Sequence, residues 1–521
     1  MPTRTQGTAS SGSPEYDLIR QLDSPACYDH SVESIRHIET HISHILLTGT
    51  FAYKIKKALN LGFLDFSTLD KRLVACQEEV RLNQRLAPET YLGVVPITGT
   101  FEAPEVNGLG APIEYAVKMR QFPPDATLDR LDADNQLTRT HIEAVGRILA
   151  RFHETDCARA DSHSTWGAPE QIRQPVAQNF LQISPLLIDP DAQTQLDELQ
   201  QWSEAEHRRL IPLMIERKCT GFVRECHGDL HLGNLAWVNE RLLVFDCLEF
   251  DPALRWIDVQ SDVAFCTMDL MQRGHMDLAW LLLNTWLEVS GDYAGLALLR
   301  YYAVYRALVR AKIAAVRASQ TLGTEQTRAR ADTLALLALA TRLTIHPWPL
   351  RLDITHGLSG SGKTTISRAL MQTPGAIRLR SDVERKRLAG LEALSASGSK
   401  TGQGLYTDEV TRRIYSHLAR QAGTLLEAGW PVIVDATFIA RWQRDMFREL
   451  ARAHGVPFHI LNFEVAEATL RDRVRQRGKR GRDASEADLD VLQYQIETAE
   501  PLGPDELDHA TPIHAGLHMR T

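Results

Sequence analysis

Two short runs in this 521-residue chain have the composition of phosphate-handling loops. The first is His227-Gly228-Asp229-Leu230-His231-Leu232-Gly233-Asn234, followed by Leu243-Val244-Phe245-Asp246. A carboxylate that can take a hydroxyl proton, with an Asn and an Asp that can share a divalent cation, is a minimal kit for moving a phosphoryl group between oxygens. Asp229 is the expected proton acceptor, and Asn234 and Asp246 are the expected Mg²⁺ ligands. The second run, Gly357-Leu358-Ser359-Gly360-Ser361-Gly362-Lys363-Thr364, is a complete G-x-x-x-x-G-K-[ST] loop. Its glycines Gly357, Gly360 and Gly362 let the backbone N–H groups, with that of Ser361, curl around phosphate oxygens. The start of the following helix, at Thr364-Thr365, adds a positive dipole end. Lys363 is expected to bridge the β- and γ-phosphates and Thr364 to ligate Mg²⁺.

The acceptor side of the second run is marked by Arg380-Ser381-Asp382-Val383-Glu384-Arg385, directly after an apolar strand. That position is the C-terminal edge of a parallel sheet, where ligands of open α/β folds bind. Asp382 could take the proton of an attacking hydroxyl and Arg385 could hold an anionic group of the acceptor; the alternative is that Asp382 caps a helix starting at Val383. Asp435 ends a further strand, Val432-Ile433-Val434, as a metal-shell acid or a cap. Arg473 and Arg477, one helical turn apart before the glycine- and charge-rich stretch Gly478–Asp483, have the makings of a basic lid over the phosphates.

These residues need positioning elements. His41–Leu47 and Phe51–Lys57 read as a hairpin around Thr48-Gly49-Thr50. Alternation along its second strand puts Lys54 and Lys56 on one face. Thr68–Leu86 reads as a helix and Ile113–Gln121 as another strand, which together suggest a small β-rich lobe. Helical periodicity begins with Ile142–His153 and dominates from Trp256 to about Leu343. Short strands at Phe222–Cys226 and Arg241–Phe245 flank the His-Gly-Asp run. Ile345–Pro349 breaks the pattern as a linker. Beyond it, strands at 350–355, 377–379, 431–434 and 458–463 alternate with helices at 409–427, 441–454 and 466–477, the signature of a parallel sheet with helical crossovers.

Composition narrows the class. Hydrophobic residues make up 44% and charged residues 24%, ordinary globular usage. A net charge of −8 argues against a general nucleic-acid-coating protein. Seven scattered cysteines without a C-x-x-C pair read as thiols in a reducing compartment. With no apolar run of membrane-spanning length and no signal-peptide pattern, no membrane association is expected and the cytoplasm is the expected location.

The His-Gly-Asp segment resembles the aminoglycoside phosphotransferase and choline-kinase branch of the protein-kinase-like fold. That resemblance implies a nucleotide-positioning lysine in the small lobe, which Lys54 fits, with Lys56 on the same face as the other candidate. It also implies a paired glutamate, for which Glu78 is the expected residue. The second half resembles polynucleotide-kinase- and zeta-toxin-like P-loop kinases. From about Ser24 onward the chain resembles a bacterial fusion family joining the two, through Tyr53–Lys57, Gly62–Ser67, both motifs and Asp483–Ala487. The expected organisation is a disordered tail at 1–23, then an α+β bilobal kinase-like domain at 24–344 with its small lobe to about 122. A linker at 345–350 and an α/β parallel-sheet P-loop kinase domain at 351–521 follow. The expected function is a bifunctional, ATP- and Mg²⁺-dependent phosphotransferase. Its first site would act on small-molecule hydroxyls and its second on a small-molecule or polynucleotide hydroxyl, nucleic acid entering only as that acceptor. The alternatives are a single kinase regulated by a P-loop switch, and a toxin-like or antibiotic-modifying kinase.

Overall fold

A computed structural model describes residues 14–514, except 61, 63, 346–348, 372–374, 394, 396–406 and 481–484. The chain forms two compact units. One comprises residues 1–141, 152–174 and 211–266, the other 142–151, 175–210 and 267–521.

The first unit contains a six-stranded antiparallel sheet. Its strands are β1 (Arg36–Glu39), β2 (Ser43–Leu47), β3 (Phe51–Lys56), β4 (Tyr91–Gly99), β5 (Pro104–Val106) and β6 (Glu114–Arg120), in spatial order β1-β2-β3-β6-β4-β5. The β2–β3 turn closes through Thr48 N–H to Phe51 O at 2.9 Å, with Gly49 at φ +93°. Alternation on β3 sends Tyr53 and Ile55 into a core with Leu46, Ile97 and Ala116. Lys54 and Lys56 take the opposite face, against the helix Leu69–Asn83, which starts where the Thr68 hydroxyl accepts from Lys71 N–H. The disordered tail expected over residues 1–23 does not hold for its described part. Pro14–Gln21 is a helix, and Leu18, Ile19 and Leu22 are buried in the same core as Tyr53, because their spacing presents one apolar stripe.

The unit also carries two short hairpin-like ladders: β7 (Val223–Glu225) pairs with β10 (Trp256–Asp258), and β8 (Leu235–Val238) with β9 (Arg241–Val244). The β8–β9 turn places Asn239 at φ +49° and Glu240 at φ +60°. Two consecutive left-handed residues make a type I′ turn, whose twist matches that of the strands.

The second unit is built on a five-stranded parallel sheet of β11 (Leu352–His356), β12 (Ile377–Arg380), β13 (Val432–Asp435), β14 (Phe458–Glu464) and β15 (Ala510–His514). The order is β12-β13-β11-β14-β15. Helices Lys363–Leu370, Ser381–Leu388, Asp408–Glu427, Arg441–Ala453 and Glu467–Arg480 connect the strands. The domain boundary expected at 345–350 does not divide the compact units. Helices before it, including Met276–Ser290 and Leu296–Gln320, pack on this sheet's β12 side. Trp430 Nε1–H donates to Leu296 O at 3.2 Å, and the Trp280 and Trp430 rings meet edge-on at 5.7 Å. Among the described residues no helix is long and apolar enough to cross a membrane.

Candidate active sites

In the first unit the site is organised around buried charge. Lys54 Nζ donates to Glu79 Oε1 at 2.8 Å and Asp246 Oδ1 at 2.5 Å. Lys56 Nζ donates to Glu79 Oε2 at 2.6 Å and to Glu249 Oε1. Glu79 and Lys56 have no solvent exposure. Burial works against the Lys54 charge, but Asp246, Glu79 and Glu249 outweigh it and hold its pKa well above the ordinary lysine value. Burial likewise opposes the Glu79 charge, and the two ammonium groups overcome it and keep the carboxyl well below its usual range.

The glutamate paired with Lys54 is therefore Glu79, and the expectation of Glu78 is corrected. Glu78 points to the helix flank, where it accepts from Arg81 at 2.7 and 2.8 Å and from Arg255 at 2.6 Å. The physical reason is the phase of the helix. Its buried residues Arg72, Ala75, Cys76, Glu79, Leu82 and Asn83 form one stripe, and Glu78 lies off it. Asn83 ties this stripe to the loop that carries Asp246, since its Oδ1 accepts from Cys247 N–H at 2.9 Å.

The His227–Asn234 loop is held from below. Asp262, fully buried, accepts from His227 N–H at 3.1 Å, from Gly228 N–H at 3.0 Å and from His153 Nε2 at 3.1 Å. Asp258 pairs with Arg217 at 2.7 and 2.8 Å. Asp262 thus braces the loop from the interior, and the Asp258 carboxylate is taken up by the Arg217 guanidinium. His227 Nε2 donates to Phe245 O at 2.9 Å, and its Nδ1 accepts from Asp229 N–H at 3.3 Å. Those bonds define a neutral tautomer, and burial pushes the imidazole below its ordinary pKa. Asp229 stays two-fifths exposed, and Asn234 Nδ2 donates to its backbone O at 2.9 Å and its Oδ2 at 3.3 Å. Asp246 follows β9 at φ +65°, a backbone region rarely taken by non-glycine residues, and its N–H donates to the Tyr91 hydroxyl at 3.1 Å. Lys54 thus meets Asp246, Asp229 meets Asn234, and Phe245 N–H to Asn234 O at 3.1 Å ties the two pairs together; Glu79, Glu249 and Tyr91 join the first pair without having been singled out in the sequence.

In the second unit a cleft of about 450 Å³ is lined by Gly360, Gly362, Lys363, Thr364 and Thr365 of the loop. Asp382, Arg385, Asp435, Arg473 and Arg477 line the same cleft. The loop needs its glycines: Gly357, Gly360 and Gly362 have φ of +151°, +85° and +96°. Lys363 Nζ folds onto the loop, donating to Gly357 O at 2.9 Å and Leu358 O at 2.8 Å. Burial lowers its pKa to about 8. Asp435 Oδ2 accepts from Ser367 Oγ at 3.0 Å. The helix carrying Asp382 begins at Ser381, with Arg380 as the residue before its first turn, so Asp382 lies within that turn rather than capping it. Arg473 donates to Gly360 O at 3.3 Å and Arg477 to Ala487 O at 2.6 Å. Of the expected lid Gly478–Asp483, residues 481–483 lie outside the described residues.

A bilobal kinase-like small lobe and catalytic loop, with a parallel-sheet P-loop fold on the same chain, define a two-part phosphotransferase enzyme. Residues 64–308 match the phosphotransferase enzyme family and residues 352–502 the AAA domain family, so the chain joins an aminoglycoside-phosphotransferase-type domain to an AAA-type P-loop domain. Uncharacterized proteins of Mycobacterium tuberculosis and Mycobacterium bovis are 29% identical to it over 504 residues, covering 92% of this chain and 97% of theirs. Among solved structures, the chain is similar to a choline/ethanolamine kinase family protein from Mesorhizobium loti. That match has 9% identity and a TM-score of 0.39, and covers 63% of this chain and 97% of that one. It is also similar to a gluconokinase from Sinorhizobium meliloti, with 20% identity and a TM-score of 0.24, over 33% of this chain and 85% of that one.

Proposed function

We propose that the chain is a bifunctional cytoplasmic kinase with one phosphoryl-transfer site in each unit, both using ATP. At the first, Asp229 accepts the proton of a small-molecule hydroxyl as its oxygen attacks the γ-phosphorus. The bond to the bridging oxygen breaks, and ADP leaves. Lys54, braced by Glu79, holds the nucleotide's phosphates. At the second, Lys363 and the loop N–H groups cradle the triphosphate, Asp382 accepts the proton of a second hydroxyl, and Arg385 holds an anionic part of that acceptor. Arg473 and Arg477 add positive charge on the phosphate side. The oxygen donors fit a hard divalent cation: Asn234 and Asp246 in the first unit, the Thr364 hydroxyl and Asp435 in the second. Magnesium bound there would neutralise charge on the phosphates.

One observation carries the two-site reading. Asp382 and Arg385 share a single cleft with Lys363. A nucleotide switch would need the loop but not a carboxylate and a guanidinium facing it. The test is to incubate metabolite extracts with γ-³²P-ATP and full-length protein. Asp229→Ala should abolish one set of labelled products and Asp382→Ala a different set. A single product set that vanishes with Asp229→Ala and persists with Asp382→Ala would sink the second kinase.

A further inference from the structure

The strand that leads to Asp382 is the edge of its sheet, and an edge strand leaves one row of backbone groups unpaired. Here a helix supplies the missing partner. On Met276–Ser290, the Asn284 side chain takes both roles of a neighbouring strand: Oδ1 accepts from Arg378 N–H at 2.8 Å, and Nδ2 donates to Ala376 O at 3.1 Å. One turn further on, Glu288 Oε1 accepts from Arg378 Nε at 3.0 Å and Nη2 at 2.5 Å, and its Oε2 lies 3.5 Å from Arg380 Nη1. Burial opposes the Glu288 charge, but Arg378 and Arg380 prevail and keep its carboxyl below the ordinary range. Arg387, from the helix carrying Asp382, donates to Glu288 O at 2.6 Å across Gly291.

The bonds continue into the P-loop site. Arg378 Nη1 donates to Thr364 O at 3.2 Å and Ser367 Oγ at 3.3 Å. Ser367 Oγ donates to Asp435 Oδ2 at 3.0 Å, and Arg380 Nε stands 3.9 Å from the same oxygen. Arg378 is 5% exposed, so its charge has little water to fall back on. Glu288 thus meets both guanidinium groups directly, whereas Asp435 meets Arg380 at 3.9 Å and Arg378 only through Ser367, so Glu288 takes the larger share of their charge.

We propose that Glu288 is a positioning residue for the P-loop site: by neutralising Arg378 and Arg380 it leaves the Asp435 carboxylate free to face the metal side of the cleft. The inference rests on the reading of Thr364 and Asp435 as the metal-side pair. It means that the P-loop site borrows an acid from the segment matched by the phosphotransferase family, outside its own family's match at 352–502. Without the Glu288 charge, Arg380 closes on Asp435 and competes with the cation.

The test uses the full-length chain with Lys54→Met and Asp246→Asn, which remove nucleotide binding at the first site. Binding of a fluorescent ATP analogue is then titrated with Mg²⁺. In that background Lys363→Ala should abolish the remaining signal; if it does not, the P-loop reading fails, separately from this inference. With the signal established, Glu288→Gln should raise the Mg²⁺ concentration for half-saturation at least tenfold. Analogue affinity at saturating Mg²⁺ should stay within threefold. Glu288→Asp, which keeps the charge, should recover most of the shift and serves as the reading variant if the Gln chain does not fold. Asn284→Ala removes the strand-like bonds but no charge, so it should lower the melting temperature and leave the Mg²⁺ midpoint within twofold. A Glu288→Gln chain with the parent's Mg²⁺ midpoint, or Asn284→Ala shifting it as far as Glu288→Gln, overturns the proposal.

Discussion

The choice between neighbouring glutamates gives the sharpest test of the first site. In Glu79→Gln, one of the two carboxylate oxygens that accept from Lys54 and Lys56 becomes an NH₂ group facing an ammonium. Both lysines are buried, with side-chain exposures of 9% and 0%. A charge-assisted hydrogen bond is worth about 1.5–3 kcal/mol, and breaking a buried pair costs about 3–5 kcal/mol. Lys54 and Lys56 keep Asp246 and Glu249 as remaining partners, which places the cost at the lower end, about 3 kcal/mol. Lys54 would also close on Asp246, the residue proposed for the metal. If that cost falls on the nucleotide-competent arrangement, Mg²⁺–nucleotide affinity drops roughly 100-fold, since each 1.36 kcal/mol is a factor of ten. In Glu78→Gln the loss is of a flank contact. Arg81 is half exposed and Arg255 keeps Glu225 at 3.2 Å, so about 0.5–1 kcal/mol and at most about a fivefold change are expected. The assay is titration with a fluorescent ATP analogue in a Lys363→Ala background, with urea unfolding of each variant alongside. Equal or greater damage from Glu78→Gln would refute the reasoning.

Two further outcomes follow from the geometry. Lys363, with its pKa lowered to about 8 by burial, is neutral in most free molecules above that pH, so binding a triphosphate must recharge it. Affinity at the P-loop site should fall about tenfold per pH unit above pH 8, with proton uptake seen by calorimetry in buffers of different ionisation enthalpy; below pH 7 the dependence on this group should vanish. Gly228→Ala places a Cβ 2.9 Å from Leu254 O at φ +86°, a strain of about 1–3 kcal/mol next to Asp229. First-site phosphate transfer should drop by about 10²-fold while second-site labelling is retained, because a displacement of about 1 Å in a reacting group costs that much.

Much of this architecture was legible because its signals are periodic. The strand over 51–57, the helix over 68–86 and the alternating elements after 350 appear as β3, Leu69–Asn83 and the β11–β14 units, within a few residues. Several of the strands that escaped notice have weak periodicity. β1 reads Arg-His-Ile-Glu and is mostly exposed, and β4 contains Gly93 and Pro96 with a register shift at Tyr91/Gly93. β15 is an edge strand added after a Pro- and Gly-rich stretch. Glu79 was missed for a different reason. The buried stripe of its helix includes Arg72, Glu79 and Asn83, and buried polar residues are invisible to a hydrophobic pattern. The stripe spacing 72-75-76-79-82-83 contains the answer only once Ala75, Cys76 and Leu82 are taken as its core. The helix over 14–21 was hidden by its Ser- and Gly-rich neighbours, and Glu288 by lying far upstream of the loop it serves.

The β8–β9 hairpin ties Asn234 and Asp246 to the feet of one short ladder. Leu235 pairs with Val244, and Phe245 N–H reaches Asn234 O at 3.1 Å. Their separation is therefore dictated by rung spacing, at the end of the ladder opposite the Asn239-Glu240 turn. A peptide tag or dye grafted between Asn239 and Glu240 would ride on the outer tip, reporting on the first site from a distance while the two feet keep their stance.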